Sequence, residues 1–240
     1  MKRTVSVLVA ASGLALLLGS VPKLQAHDSG GKGPQLPFEV TKIYFEYNAT
    51  ANDLGVHVFL DGEDWRRLKI THPTGRTIFE VEGKGGYKDL GLTELFFEGA
   101  EPSLAEVPLE ELLDLFPEGD YRFAGKTVER DDIVGTATLT HAIPAGPSSV
   151  SAEVGPGTSL VIRWNAVTGP PEGFPNRPID IVGYQVLVGA FQVTVPATTT
   201  RVTVSPEFVE SLSSGEHAFE VLAIEAGGNQ TITEGVFMKP

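Results

Sequence analysis

Ser159-Leu160-Val161-Ile162-Arg163-Trp164 begins the series of segments that decides the fold. Gly183-Tyr184-Gln185-Val186-Leu187-Val188 follows, then Val202 and Val204, then His217-x-Phe219-x-Val221-x-Ala223. Apolar residues at every second position turn one face of each segment toward a core and the other toward water, which is the period of a strand. Turn residues separate the segments. The stretch from Pro147 to Pro240 therefore reads as a seven-stranded β-sandwich around one buried Trp164.

Toward the N-terminus the pattern continues. Phe38 to Tyr47, Gly55 to Leu60, Trp65 to Thr71, Thr77 to Val81, Thr93 to Phe97, Tyr121 to Phe123 and Ile133 to His141 read as short strands, with Asp61-Gly62 as a turn. Leu109, Leu112, Leu113 and Phe116 fall at helical spacing after Pro108, and Pro117 ends that helix. Glu110 and Glu111 complement the positive end of its dipole. The expected fold class is all-β, with two tandem β-sandwich domains and a short helix in the first. The domains are expected over 38–143 and 147–240, divided by Ile143-Pro144-Ala145-Gly146-Pro147.

The two halves echo each other. Pro117-Glu118-Gly119-Asp120-Tyr121-Arg122-Phe123 and Ser213-Ser214-Gly215-Glu216-His217-Ala218-Phe219 both place Gly, an acid, a ring residue and Phe in one order. Each follows a short helix-compatible segment, the second capped by Ser205.

Met1-Lys2-Arg3, the apolar run Val5 to Leu18 and the small Ala26 read as a removable signal peptide over 1–26, followed by a flexible lead over 27–37. The apolar run is too short for a permanent span of about 20 residues. Export, to periplasm or cell exterior, is the expectation, with no membrane anchor after signal removal. The chain has no Cys, and each half is long enough to bury a core without disulfides. Removing Lys2, Arg3 and Lys23 takes the formal charge from −13 to −16. Such a field repels phosphate backbones and anionic lipid, which disfavours nucleic acid as a partner. Asn48-Ala49-Thr50 and Asn229-Gln230-Thr231 match the glycosylation sequon, which matters only in a eukaryotic source, and chance occurrence is the favoured reading.

The second half resembles a fibronectin type III domain: Pro147 with Val150, Trp164, Ile181-x-Gly183-Tyr184-x-Val186-x-Val188 and His217-x-Phe219-x-Val221-x-Ala223 carry the likeness. His217 stands where that family usually has a Tyr that bonds back to the preceding loop. The first half, through Gly91-Leu92-Thr93-Glu94-Leu95-Phe96-Phe97-Glu98 and Pro117 to Tyr121, looks like the leading module of small exported bacterial proteins carrying such a domain. The resemblance implies an architecture and no assigned activity.

Chemistry is sparse. There is no Gly-x-Ser-x-Gly elbow and no Cys nucleophile. His57 alternates with Val56 and Val58 and reads as outward-facing; His72 and His141 end strands. Gly83-Lys84-Gly85-Gly86 lacks the ending of a phosphate loop and reads as a hairpin. Glu46, Asn48, Asn52 and Asp53 are oxygen-bearing and offer a calcium set, against the alternative of an ordinary Asn/Asp turn. His27 at the new N-terminus offers a copper chelate on a mobile support. Trp65, Tyr87 and Phe174 are the candidate exposed aromatics for a ligand, Phe174 in the Pro-rich stretch from Gly169 to Pro178. The expectation is a non-catalytic exported protein that binds a protein or glycan or associates structurally, with no obligatory cofactor. A glycan-binding accessory module and a metal-dependent enzyme are the alternatives.

Overall fold

The computed structural model describes residues 35–155 and 159–240. The expected signal peptide, His27 and most of the lead lie outside them. The described chain is all-β. Its first half contributes β1 (Gln35–Pro37), β2 (Val40–Asn48), β3 (Asp53–Thr71), β4 (Thr77–Glu82), α1 (Gly86–Leu90), β5 (Leu92–Glu98), α2 (Leu109–Leu115), β6 (Gly119–Thr127) and β7 (Asp132–Leu139). The second half contributes β8 (Ser151–Val154), β9 (Leu160–Arg163), β10 (Ile181–Val188), β11 (Phe191–Pro196), β12 (Arg201–Val204), α3 (Pro206–Ser211), β13 (Gly215–Glu225) and β14 (Gln230–Lys239).

In the first half one strand does the work of two. The Asp61-Gly62 pair does not make a turn: β3 runs through it and bends. Before the bend β3 pairs with β2 on one side and β5 on the other; after it, with β4 and β6. Register shifts on either side of Trp65 mark the crease. Gly62 is required by packing, because a Cβ there would stand 2.9 Å from the Phe38 ring. The bend folds the sheet over a core of Phe45, Leu54, Val58, Leu60, Trp65, Leu68, Ile70, Tyr121, Phe123 and Ile133. The expected lead ends early, since Gln35–Pro37 pairs in parallel with β7. Gly83 to Gly86 opens not a plain hairpin but the short helix α1.

The second half stacks β12-β9-β8 on β14-β13-β10-β11. Leu160, Ile162, Trp164, Tyr184, Val186, Val204, Phe219, Val221 and Ala223 fill the space between. Each apolar side chain buried there contributes about 1.5–3 kcal/mol.

The sequence echo is a structural one. Tyr121 donates its hydroxyl to the Pro117 carbonyl at 3.1 Å, and His217 Nε2 contacts the Ser213 carbonyl at 2.7 Å, four residues back in both cases. Gly119 (φ 136°) and Gly215 (φ 126°) turn the chain between the two partners in a region that L side chains avoid. α2 and α3 lead into these corners. Ser205 sits at the N-cap of α3, but its side chain makes no cap hydrogen bond.

The halves are sewn into one sheet. β14 pairs in parallel with β2, matching Gln230, Thr231 and Ile232 to Glu46, Tyr47 and Asn48. Asn229, 1% exposed, accepts from the Phe45 amide at 2.9 Å and donates to the carbonyls of Thr140 (2.9 Å) and Ala142 (3.2 Å). Thr231 donates to the Pro144 carbonyl at 2.5 Å. The second sequon is therefore the seam between halves, and its Asn is inaccessible to modification in the folded chain.

Candidate functional site

Alternation along β2 sends Ile43, Phe45 and Tyr47 into the core and leaves Tyr44, Glu46 and Asn48 on the opposite face. On β3 the same face carries Asp53, Gly55 and His57. Register then sets Tyr44 beside His57, Glu46 beside Gly55, and His57 beside Glu98 of β5. Gly55 leaves a vacancy that the Glu101 side chain fills: a Cβ at position 55 would lie 2.5 Å from Glu101 Cγ. Glu101, from the loop after β5, thus folds back over the sheet.

The result is an imidazole ringed by acids. His57 Nε2 lies 3.1 Å from Glu101 Oε1, 3.8 Å from Glu46 Oε1 and 4.0 Å from Glu98 Oε2. Tyr44 and Phe96 flank the ring at centroid distances of 5.2 and 5.9 Å. Gln230 of the other half donates to Glu46 Oε2, which leaves Oε1 turned toward the histidine. His57 Nδ1 is buried with no hydrogen-bond partner among the described residues. The seam extends the acidic field, since Glu234 and Glu220 face each other across β14 and β13.

Burial alone would depress the His57 pKa, but the Glu101 hydrogen bond and the charges of Glu46, Glu101 and Glu98 raise it. Burial lifts the Glu46 carboxyl, with Glu101 and Glu98 adding to this and His57 and Gln230 opposing it. Asp53 is pushed up to about 6 by burial and by Glu101 and Glu234. Glu220 is pushed up to about 7 by burial and by Glu234 and Glu46.

His57 is therefore not outward-facing toward solvent: it is 3% exposed, beneath Glu101 and between Tyr44 and Phe96. The sequence pattern could not show this, because the covering loop lies 44 residues away. Of the calcium set, Glu46, Asn48 and Asp53 share this face. Asn48 Oδ1 accepts the Thr50 and Ala51 amides at 2.9 and 3.0 Å, its Nδ2 donates to Glu234, and Asn52 Oδ1 accepts the Tyr47 hydroxyl at 3.0 Å. Those two amide oxygens thus serve the turn. Trp65 is not an exposed aromatic but a core residue at 0% exposure, so it offers no ligand surface. Phe174 packs on Tyr47 at 4.8 Å and straps the Pro-rich stretch onto the first half, helped by Arg177 bonding Glu118 at 2.5 Å. Tyr87 is 64% exposed on α1.

No protein-family model and no curated protein matches the chain. Among solved structures the chain is similar to the spore cortex lytic enzyme SleM of Clostridium perfringens, at 17% identity and a TM-score of 0.33 over 40% of this chain and 28% of that one. It is also similar to a tetra-tandem repeat in the extending region of a large adhesion protein, at 11% identity and a TM-score of 0.27 over 84% of this chain and 50% of that one. A third is a 1.5-MDa bacterial ice-binding adhesin, at 12% identity and a TM-score of 0.28 over 86% of this chain and 65% of that one. The chain thus spans between 28% and 65% of the length of these proteins. No helix among the described residues is long and apolar enough to cross a membrane.

Proposed function

We propose that this chain is an exported, non-catalytic protein that works by binding or by structural association. The observation that carries the reading is the single sheet through β2 and β14, clamped by Asn229 and Thr231, which makes two apolar cores into one stiff body. A rigid frame with loops at its periphery lowers the ordering cost of a contact surface. The seven-strand pattern of the second half, three strands on four, supports reading it as a fibronectin type III-like domain. The basic and apolar start of the sequence supports export.

Co-sedimentation of the purified protein with the isolated envelope of the producing cell tests the reading. Saturable retention is the expected result. Absence of retention on envelope protein and on envelope polysaccharide alike would remove it. A glycan-binding role is the second reading, and the exposure of Tyr87 favours it. Planar aromatics stack on sugar faces, so glycan-array binding lost in Tyr87→Ala would select that reading over protein association.

A further inference from the structure

We propose that Glu46, His57 and Glu101 form a site for one zinc-class divalent cation, held by His57 Nε2 and one carboxylate oxygen from each glutamate. The three donor atoms lie within 4.8 Å of one another. Ligands at about 2.0–2.2 Å from a tetrahedral ion stand about 3.4 Å apart. The Nε2 distances to Glu101 and Glu46, 3.1 and 3.8 Å, bracket that spacing, and the third edge, between the two carboxylates, is within 4.8 Å.

Three further features distinguish this cluster from an ordinary acidic surface. First, the imidazole is enclosed, its side chain 4% exposed, and its polar contacts in the structure are carboxylates. Its Nδ1 finds no partner among the described residues, so the hydrogen bonding of the ring runs through Nε2 to Glu101. Second, the carboxylate of Glu46 is already oriented. Gln230 holds Oε2 from the neighbouring strand and leaves Oε1 free, the outer-shell support that ligating carboxylates receive in metal sites. Third, Gly55 makes the space through which Glu101 reaches the ring, and any larger residue there would expel it. Glu98 Oε2, 4.0 Å from Nε2, stands next to the set.

The donor types choose the metal. A nitrogen donor with two carboxylates suits zinc and its first-row neighbours, whereas calcium takes six to eight oxygens. The site lies on the side of β2 and β3 away from the core and joins the two halves through Gln230. A bound ion would therefore brace the seam as well as neutralise it.

Isothermal titration of the untagged, chelator-treated full chain with Zn²⁺ alone, and separately with Ca²⁺ alone, tests the assignment. The expected result is one equivalent of Zn²⁺ bound, no comparable Ca²⁺ uptake, and a rise in melting temperature with Zn²⁺. Glu101→Gln, at the rim of the cluster, and Gly55→Ala should each weaken Zn²⁺ binding by about tenfold or more. His57→Gln should abolish binding, and circular dichroism of Glu101→Gln keeps the test informative if the histidine variant does not fold. Substoichiometric Zn²⁺ uptake, preference for Ca²⁺, or unchanged Zn²⁺ affinity in a folded Glu101→Gln would each overturn the proposal.

Discussion

Glu220→Gln should make this protein more stable at high pH and leave it unchanged at low pH. Glu220 faces Glu234 directly across the β13–β14 ladder, and like charges so placed repel. Burial, then Glu234 and Glu46, hold its carboxyl at about 7 rather than at the ordinary 4.5. The folded state thus binds this proton more tightly than the unfolded chain does. Its stabilising contribution is complete below pH 4.5 and is lost as pH rises through about 7. At about 1.36 kcal/mol per pH unit the full displacement would correspond to roughly 3.4 kcal/mol. Glu220 is only partly buried, and solvent screening reduces this to about 1–2 kcal/mol. Urea unfolding followed by Trp fluorescence, with chelator present, measures it across pH 4 to 9, since Trp65 and Trp164 are both buried. The variant should gain about 1–2 kcal/mol at pH 8.5, with the advantage fading to nothing near pH 4.5. A pH-independent difference, or a loss of stability at pH 8.5, would refute the reasoning.

Asn229→Ala removes one acceptor and one donor that serve three backbone groups, leaving the buried Phe45 amide and two carbonyls unpaired. Denaturant unfolding should show a loss of about 2–4 kcal/mol. Trp65→Ala empties the crease of the first core and should cost about 3–5 kcal/mol. Tyr87→Ala should stay within about 0.5 kcal/mol of the parent in the same assay. Phe174→Ala frees the strap from Tyr47; a loss of about 1 kcal/mol and faster protease cleavage within 169–178 are expected. Gly235→Ala would drive a Cβ to 2.3 Å from the Phe219 ring and should lower the urea midpoint by the equivalent of about 1–3 kcal/mol.

Local periodicity carried much of the fold into the sequence. The alternation around Trp164, Tyr184 and Phe219 is a two-residue pattern, and it reads off as strands because one sheet face is apolar and the other is not. The repeated corner was legible too, since it needs a glycine, a ring donor and a carbonyl within five residues. Asp61-Gly62 misled because its turn chemistry is local, whereas the reason for Gly62 is the Phe38 ring, which arrives from another strand. Trp65 reads as an exposed aromatic for the same reason: its neighbours in sequence are polar, and its burial comes from the fold of β3.

The acidic ring around His57 left only half its signature in the chain. Glu46 reads from the sequence as an oxygen donor, and His57 as an outward-facing strand residue. Glu101 and Gln230 reach the cluster from positions 44 and 184 residues away from their partners, which no local pattern encodes. Gly55 was the nearest thing to a signal. A glycine within a strand marks a close approach by something else. Asn229 likewise shows in the sequence only as part of a sequon match, because its role depends on three segments meeting.

The joint between β2 and β14 has a consequence for how such a chain can be rearranged over evolutionary time. Transplanted by itself, the second half would carry the amides and carbonyls of Gln230 to Ile232 bare along an open margin, inviting indiscriminate self-pairing. Either half recombined into another gene would have to bring a replacement for the missing neighbour. A cut between the halves would uncover that margin on both sides, on β14 and on β2.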